Sequence, residues 1–207
     1  MSKSKGVNIR FTVHNILYNI YKHNKNLDSN SIKNLIKNYN EIDIAFITNV
    51  CLNSMRLFFH SNKIINLHTK KIKNKHTQIL LISAITQIVF LNFKDYAVIN
   101  CTVEIAKKLN IYHGFVNSCL KIISKNKNNL INTKIKFDDL PSWFQLEAKE
   151  LTAKDKIDFL ENFCKEPDIH LVFDSKQNLN KQKNYIYKTS DTIWFLKNKI
   201  KVEKLFN

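Results

Sequence analysis

Glycine and proline are almost missing from this sequence, with two of each in 207 residues. Left-handed turn positions mostly need glycine, so sandwiches, barrels and other folds with many tight turns are disfavoured. Phosphate-cradling and dinucleotide-binding loops place several glycines within about six residues, and no such loop is present. The sequence therefore favours helices with few breaks and argues against a glycine-loop nucleotide site.

Paired cysteines and long apolar runs are also missing. The four cysteines, Cys51, Cys101, Cys119 and Cys164, form no C-x-x-C pair and have no histidine at metal-ligand spacing, which predicts buried structural thiols in a reduced, cytoplasmic chain with no metal site. The N-terminus lacks an apolar segment of signal-peptide length, and the most apolar run, residues 79–93, is too short to span a bilayer. We expect no membrane partner, and we expect this run to form a central buried helix.

Acidic residues are missing from two long stretches of a chain whose net charge is +16. Residues 44–94 hold Arg56 and six lysines without an acid, and residues 105–137 hold seven lysines without one. Residues 138–174, by contrast, hold ten acids against four lysines. The basic part predicts a polyanion-binding surface, with RNA, DNA and ribosomal surfaces as alternatives, and the acidic part predicts a different module. AT-rich coding is an alternative source of lysine, but it also favours glutamate and so does not explain the acid-free stretches.

Arginine is rare as well: only Arg10 and Arg56 accompany 31 lysines. A planar guanidinium forms bidentate hydrogen bonds that lysine does not imitate, so these two positions are candidates for a contact that needs this geometry. The alternative is a buried ion pair, for example between Arg56 and Asp43 or Glu104.

Apolar residues recur with the helical period through the first 130 residues. The pattern predicts helices at about 8–23, 30–39, 41–60, 61–72, 77–92, 96–109 and within 110–127. Asn40 stands where it would cap the third helix, and Gly114 stands at the start of the seventh. Gly114 is expected either to allow close approach of two helices or to adopt a positive φ.

The residue composition and the spacing of apolar residues change beyond residue 128. A polar connection leads to Pro141, which is placed in the first turn of one helix running through "SWFQLEAKELTAKDKIDFLENF". "PDIHLVFDS" predicts a short strand, and "NYIYKT" and "DTIWFLKNKIKVEKL" predict further strand and helix pieces. The predicted fold class is thus an all-α bundle over residues 1–130, followed by a linker helix and an incomplete α/β appendage over 131–207.

Three segments, "DIAFITNVCLNSMR" (43–56), "YAVINCTVEIAKKL" (96–109) and "GFVNSCLKII" (114–123), stand in the order and spacing of a NusB-like helical domain. They resemble most closely the N-terminal region of the RsmB (Sun/Fmu) family of ribosomal RNA cytosine-C5 methyltransferases. "LPSWF" is also similar to the P-x-W element that follows the domain in that family. The resemblance implies a helical RNA-binding region that would precede an S-adenosylmethionine domain.

The catalytic features of the family have no match here. Neither proline is followed by cysteine and there is no glycine-rich cofactor loop, so this chain alone is predicted to be inactive, with no catalytic residue and no cofactor of its own. S-adenosylmethionine is implied only for the full-length family, whose chemistry uses a cysteine nucleophile.

The sequence therefore predicts binding to structured RNA, and ribosomal RNA in particular, mainly through phosphates. The candidate RNA-binding residues are Arg10, Arg56, Lys70, Lys71, Lys73 and Lys75. Further expected partners are a separate catalytic domain or a ribosomal-protein-like subunit. The alternatives are a stand-alone NusB-like antitermination or RNA-binding module, and a protein-interaction domain.

Overall fold

The computed structural model of the chain describes residues 3–70 and 72–165, together with three strand segments at 170–172, 186–188 and 193–196. By its contacts the chain divides into two units, Met1–Cys164 and Lys165–Asn207. The division falls later than the predicted boundary at residue 130, because the segment after residue 130 contacts the helices before it. Lys63 Nζ lies 2.6 Å from Asp139 Oδ2, for example.

The first unit is all-α, as predicted. Its α-helices are α1 Lys3–His23, α2 Asn30–Ile36, α3 Glu41–Arg56, α4 Phe58–His68, α5 Lys75–Ile85, α6 Asp95–Lys108, α7 His113–Lys125, α8 Lys127–Leu130, α9 Ser142–Glu147 and α10 Ala153–Phe163. A π-helical turn, Thr86–Phe90, continues α5, and a 3₁₀ turn, Phe137–Asp139, precedes α9.

The centre of this unit is α5 with its π-helical turn. Every residue from 79 to 89 is buried, which confirms the central helix predicted from the apolar run. Ile79 packs in a cluster with apolar residues of α1 and α3, whereas Leu81, Ile85 and Ile88 pack in a second cluster with those of α6 and α7. Because both clusters share α5, this helix holds the bundle together.

Asparagine residues stabilise several helix ends in this chain, where glycine is rare. The side chain of Asn40 accepts a hydrogen bond from the backbone N–H of Asp43, 2.9 Å away, which confirms the predicted cap. Asn24, Asn92 and Asn110 adopt φ angles of 51°, 50° and 51° just after α1, the π-helical turn and α6. Asparagine tolerates this left-handed conformation better than most residues, so helices end here without glycine.

Gly114 lies in the first turn of α7, as predicted, but its φ is not positive. A methyl group added at Gly114 would meet the ring of Tyr112 at 3.3 Å, and Tyr112 is 77% exposed. The nearest approach is therefore to an exposed neighbouring side chain rather than to another helix.

The single helix predicted after Pro141 is wrong. The segment forms two helices, because the Thr152 hydroxyl accepts a hydrogen bond from the Asp155 backbone N–H at 3.2 Å while the Asp155 carboxylate accepts from the Thr152 N–H at 3.2 Å. This reciprocal pair starts a new helix at Ala153. The predicted break between the third and fourth helices also moves, from residue 60 to Leu57.

The described strands of the second unit are β1 His170–Val172, β2 Ile186–Lys188 and β3 Ile193–Leu196. They form an antiparallel sheet in the order β1-β3-β2, with His170 opposite Phe195 and Tyr187 opposite the same residue. The strands predicted within 167–175 and 184–189 are confirmed. The helix piece predicted near the C-terminus lies outside the described residues.

Candidate nucleic-acid interface

The loop between α4 and α5 carries four of the six predicted RNA-binding residues. Lys70 and Lys73 are exposed, and in the part of the chain that the structure describes no carboxylate pairs with either. Lys75, the first residue of α5, is half-buried and donates from Nζ to Gln78 Oε1 at 3.2 Å. Lys71 lies outside the described residues. The loop therefore presents at least two cations that no acid neutralises.

The two ends of this loop are fixed by local hydrogen bonds. The Thr69 hydroxyl donates to the Ile65 carbonyl at 3.0 Å where α4 ends, and the Asn74 side chain accepts from the Thr77 N–H at 3.1 Å where α5 begins. Between them Ile72 packs against the apolar core. An apolar anchor flanked by lysines in "TKKIKNK" holds the loop on the bundle while Lys70 and Lys73 face solvent.

A pocket of about 410 Å³ borders the same loop. Its lining consists of Asn62, Ile65, Asn66, Thr69, Ile72 and Gln78. Gln78 Nε2 donates to Asn62 Oδ1 at 2.8 Å, so Lys75, Gln78 and Asn62 form a chain of hydrogen bonds across α5 and α4. The sequence does not reveal this pocket, because its residues come from two helices and the loop between them.

Some lysines of the basic stretches are neutralised by acids, whereas Lys121 and Lys125 on α7 are exposed with no acid partner among the described residues. Lys107 pairs with Glu104 at 2.9 Å and Lys127 with Asp95 at 3.0 Å. Burial would raise the pKa of the Asp95 carboxyl, but hydrogen bonds from Ser124 and Lys127 lower it below its usual value. The positive charge is thus unevenly available, and the α4–α5 loop is one of the places where exposed lysines without an acid partner lie close together in the sequence.

Arg10 has a packing function in the bundle. Its Nε donates to Gln87 Oε1 at 2.8 Å and its Nη1 to the Gly6 carbonyl at 3.3 Å, and its guanidinium lies 5.1 Å from the centre of the Phe46 ring. Burial lowers the pKa of Arg10 from its ordinary value. These contacts join α1, α3 and the π-helical turn, which explains why arginine rather than lysine stands here. RNA binding by Arg10 stays a prediction.

Arg56 is half-buried at the end of α3, where its Nη1 donates to Asn53 Oδ1 at 3.0 Å. The two acids considered as its partners have other ones: Asp43 pairs with Lys5 at 2.8 Å and Glu104 with Lys107. RNA binding by Arg56 also stays a prediction.

The buried His14 on α1 and the half-buried His76 on α5 lie close to the loop. His14 Nε2 and His76 Nδ1 are 3.1 Å apart, and the rings of His76 and Tyr18 stack at 3.8 Å. His14 Nδ1 is buried without a hydrogen-bond partner. Burial, and then the neighbouring His76, lower the pKa of His14 to about 4. The only signal in the sequence is a histidine on the apolar face of α1.

A cleft of about 530 Å³ contains the only half-buried cysteine among the described ones. Cys164 Sγ lies 3.4 Å from His60 Nδ1. Burial raises the pKa of the Cys164 thiol and lowers that of His60, so both groups are held neutral rather than as a thiolate and imidazolium pair. The other three cysteines are buried, and burial raises the pKa of Cys51 to about 12 and of Cys119 to about 11. Among the described residues no group of three histidine, cysteine or acidic side chains would hold a metal.

Within the described residues no single helix has the length and apolar character needed to cross a membrane. Only α3 and α4 taken together reach that measure, and the chain bends by 70° between them.

The first unit is an all-helical bundle with exposed lysines on its surface, which is the charge pattern expected of helical domains that bind nucleic acid. Residues 7–125 match the model of the NusB family. Because this match covers more than half of the chain, the chain belongs to that family. NusB-family domains bind RNA. A comparison with curated proteins finds no match. The matched residues run from α1 to the end of α7 and include all three segments that carry the resemblance seen in the sequence.

Proposed function

We propose that this chain is the RNA-binding portion of a ribosomal RNA cytosine-C5 methyltransferase of the RsmB type, and that it docks on structured ribosomal RNA through the α4–α5 loop. The observation that carries RNA docking at this loop is the pair of exposed lysines, Lys70 and Lys73, which no described acid neutralises. Contacts to phosphates release condensed counterions, so such lysines supply affinity without reading sequence.

The methyltransferase lineage is supported by the segments outside the loop. In segment 43–56, the first of the three that resemble this family, Asp43 pairs with Lys5 and Phe46 lies under the Arg10 guanidinium, so both residues pack in the bundle. "LPSWF" leads into α9 directly after the bundle, at the place of the P-x-W element in the RsmB family. S-adenosylmethionine would bind to the catalytic domain of that family, not to the described residues.

A salt titration with a ribosomal RNA fragment tests the loop. Changing both Lys70→Glu and Lys73→Glu is expected to weaken binding to all RNA sequences alike and to reduce the slope of log K against log salt by about two, roughly one for each lost phosphate contact. The matched control is Lys149→Glu with Lys154→Glu, which changes the same charge at two exposed lysines of the acidic part. A flat salt response of the unaltered chain, or equal losses from both double variants, contradicts RNA docking at this loop.

A second function, docking of a protein domain, is favoured by apolar side chains on α9. Trp143 is 65% exposed and Leu146 is 69% exposed, and acids surround them in the sequence. We propose that this face contacts the catalytic domain implied by the RsmB resemblance. Adding an RsmB-type catalytic domain to this chain and measuring methyl transfer to cytosine tests it: Trp143→Lys is expected to lower the rate while RNA affinity stays unchanged, and an unchanged rate refutes the contact.

A further inference from the structure

The pocket beside the lysine loop has the lining that a nucleobase needs. Three of its six lining side chains are primary amides, on Asn62, Asn66 and Gln78. An amide group offers a donor and an acceptor side by side, which matches the alternating donors and acceptors along the edge of a base. The volume of about 410 Å³ falls within the usual range for small-ligand sites, and so has room for a base.

The hydrogen bonds within the pocket leave amide groups of Asn62 and Asn66 available to a nucleobase. Lys75 donates to the Gln78 carbonyl oxygen, and Gln78 donates in turn to the Asn62 carbonyl oxygen at 2.8 Å. The second of these hydrogen bonds uses the carbonyl oxygen of the Asn62 amide, so the N–H donors of that amide remain available to a ligand. Asn66 is exposed, and no hydrogen bond of its side chain occurs within the described part of the protein.

The apolar residues of the pocket suit the flat face of a base. Ile72 is half-buried and packs against the core from the loop, so part of its side chain is available to a base. Ile65 is 1% exposed and supports the pocket from within the core. Both side chains are held by the bundle, so the pocket floor exists before a ligand arrives. Preformed apolar contact of this kind avoids an ordering cost on binding.

The lysines place the pocket in an RNA context. Thr69 and Ile72 line the pocket, and the next residue along the chain in each case is an exposed lysine, Lys70 or Lys73. We propose that one unpaired RNA base enters the pocket of Asn62, Asn66 and Gln78 while Lys70 and Lys73 neutralise phosphates beside it. The inference rests on the proposed RNA docking and specifies its substrate as single-stranded or looped RNA, because a base in an A-form duplex is paired and stacked and does not enter a pocket.

Binding of the full chain to two labelled RNAs tests the pocket: a hairpin with an unpaired loop and a blunt duplex with the same number of phosphates. Asn66→Ala is expected to weaken hairpin binding by about fivefold or more, the loss typical of one amide-to-base pairing, and to change duplex binding by less than about twofold. The salt slope should stay unchanged, since no phosphate contact is removed. Asn34→Ala, at another exposed asparagine, on α2, is the matched control and is expected to change neither affinity.

Replacing single loop nucleotides of the hairpin by abasic sites gives an independent measurement. One position is expected at which the abasic site weakens binding of the unaltered chain but causes no further loss in Asn66→Ala. Equal losses of Asn66→Ala on hairpin and duplex, or no loss on either, overturn the pocket proposal. If the Lys70→Glu and Lys73→Glu variant weakens both RNAs and Asn66→Ala weakens neither, only the pocket proposal fails. If the lysine variant weakens binding to neither RNA, the proposed RNA docking at this loop is refuted, and with it the pocket proposal that rests on it.

Discussion

The buried His14, which lies beside the half-buried His76, leads to a specific prediction about how stability depends on pH. His14 is fully buried, and its folded-state pKa of about 4 lies below the ordinary value of 6.5. Between these values the unfolded chain binds a proton that the folded chain rejects. The stabilising contribution of neutral His14 is therefore fully present above about pH 6.5. It decreases as the pH falls and is lost below about pH 4.

The size of the effect follows from the shift. A separation of about 2.5 pH units at 1.36 kcal/mol each gives a loss of about 3 kcal/mol in the free energy of unfolding across this window. Burial lowers the pKa of His76 and of His60 as well, so their contributions have the same sign and remain in a variant that lacks His14. The depressed pKa values of Asp95 and Asp139 act below the ordinary carboxyl range, and measurements that stop at about pH 4.5 avoid most of them.

The assay is urea unfolding followed by circular dichroism at several pH values from about 7 to 4.5. His14→Phe keeps a flat ring in the site without a titrating group, and it removes the ring nitrogen that has no partner. We expect its unfolding free energy to fall much less than that of the unaltered chain over this range. His113→Gln, at an exposed histidine of α7, is the control and should follow the unaltered chain. Parallel curves for His14→Phe and the unaltered chain would refute the reasoning.

Two further predictions concern helix ends. Asn110→Ala is expected to lower the unfolding free energy by about 1 to 2 kcal/mol, because alanine is strained at the φ of 51°, whereas Asn110→Gly should be neutral or stabilising; equal urea midpoints for the two variants contradict this. Gly114→Ala is expected to raise the melting temperature slightly or leave it unchanged, since alanine favours the helix by up to about 1 kcal/mol and the exposed Tyr112 ring has room to move. A clear fall in the melting temperature would show that Gly114 is closely packed after all.

Much of the fold follows from local patterns in the sequence. The helices of the bundle and the Asn40 cap depend on neighbours within one or two turns, so periodicity and capping chemistry predict them. The exception after Pro141 has a local cause too, since Thr152 and Asp155 form a recognisable capping box that splits the predicted helix. The cluster of lysines between α4 and α5 can also be read from the sequence, but the absence of acids from a stretch does not ensure that its lysines are unpaired, because Lys127 pairs with Asp95 from another helix.

The assignment of individual residues required the tertiary structure. Arg10 is half-buried because Phe46 and Gln87, distant in the sequence, meet it from two other elements. The amide pocket exists because α4 and α5 bring Asn62 and Gln78 within 2.8 Å. The pKa of His14 is low because the bundle buries its ring and, to a smaller extent, because α5 places His76 beside it. Local sequence determines which helices form and where charge accumulates, whereas burial and long-range contact decide which of the charged and polar groups remain available to a ligand.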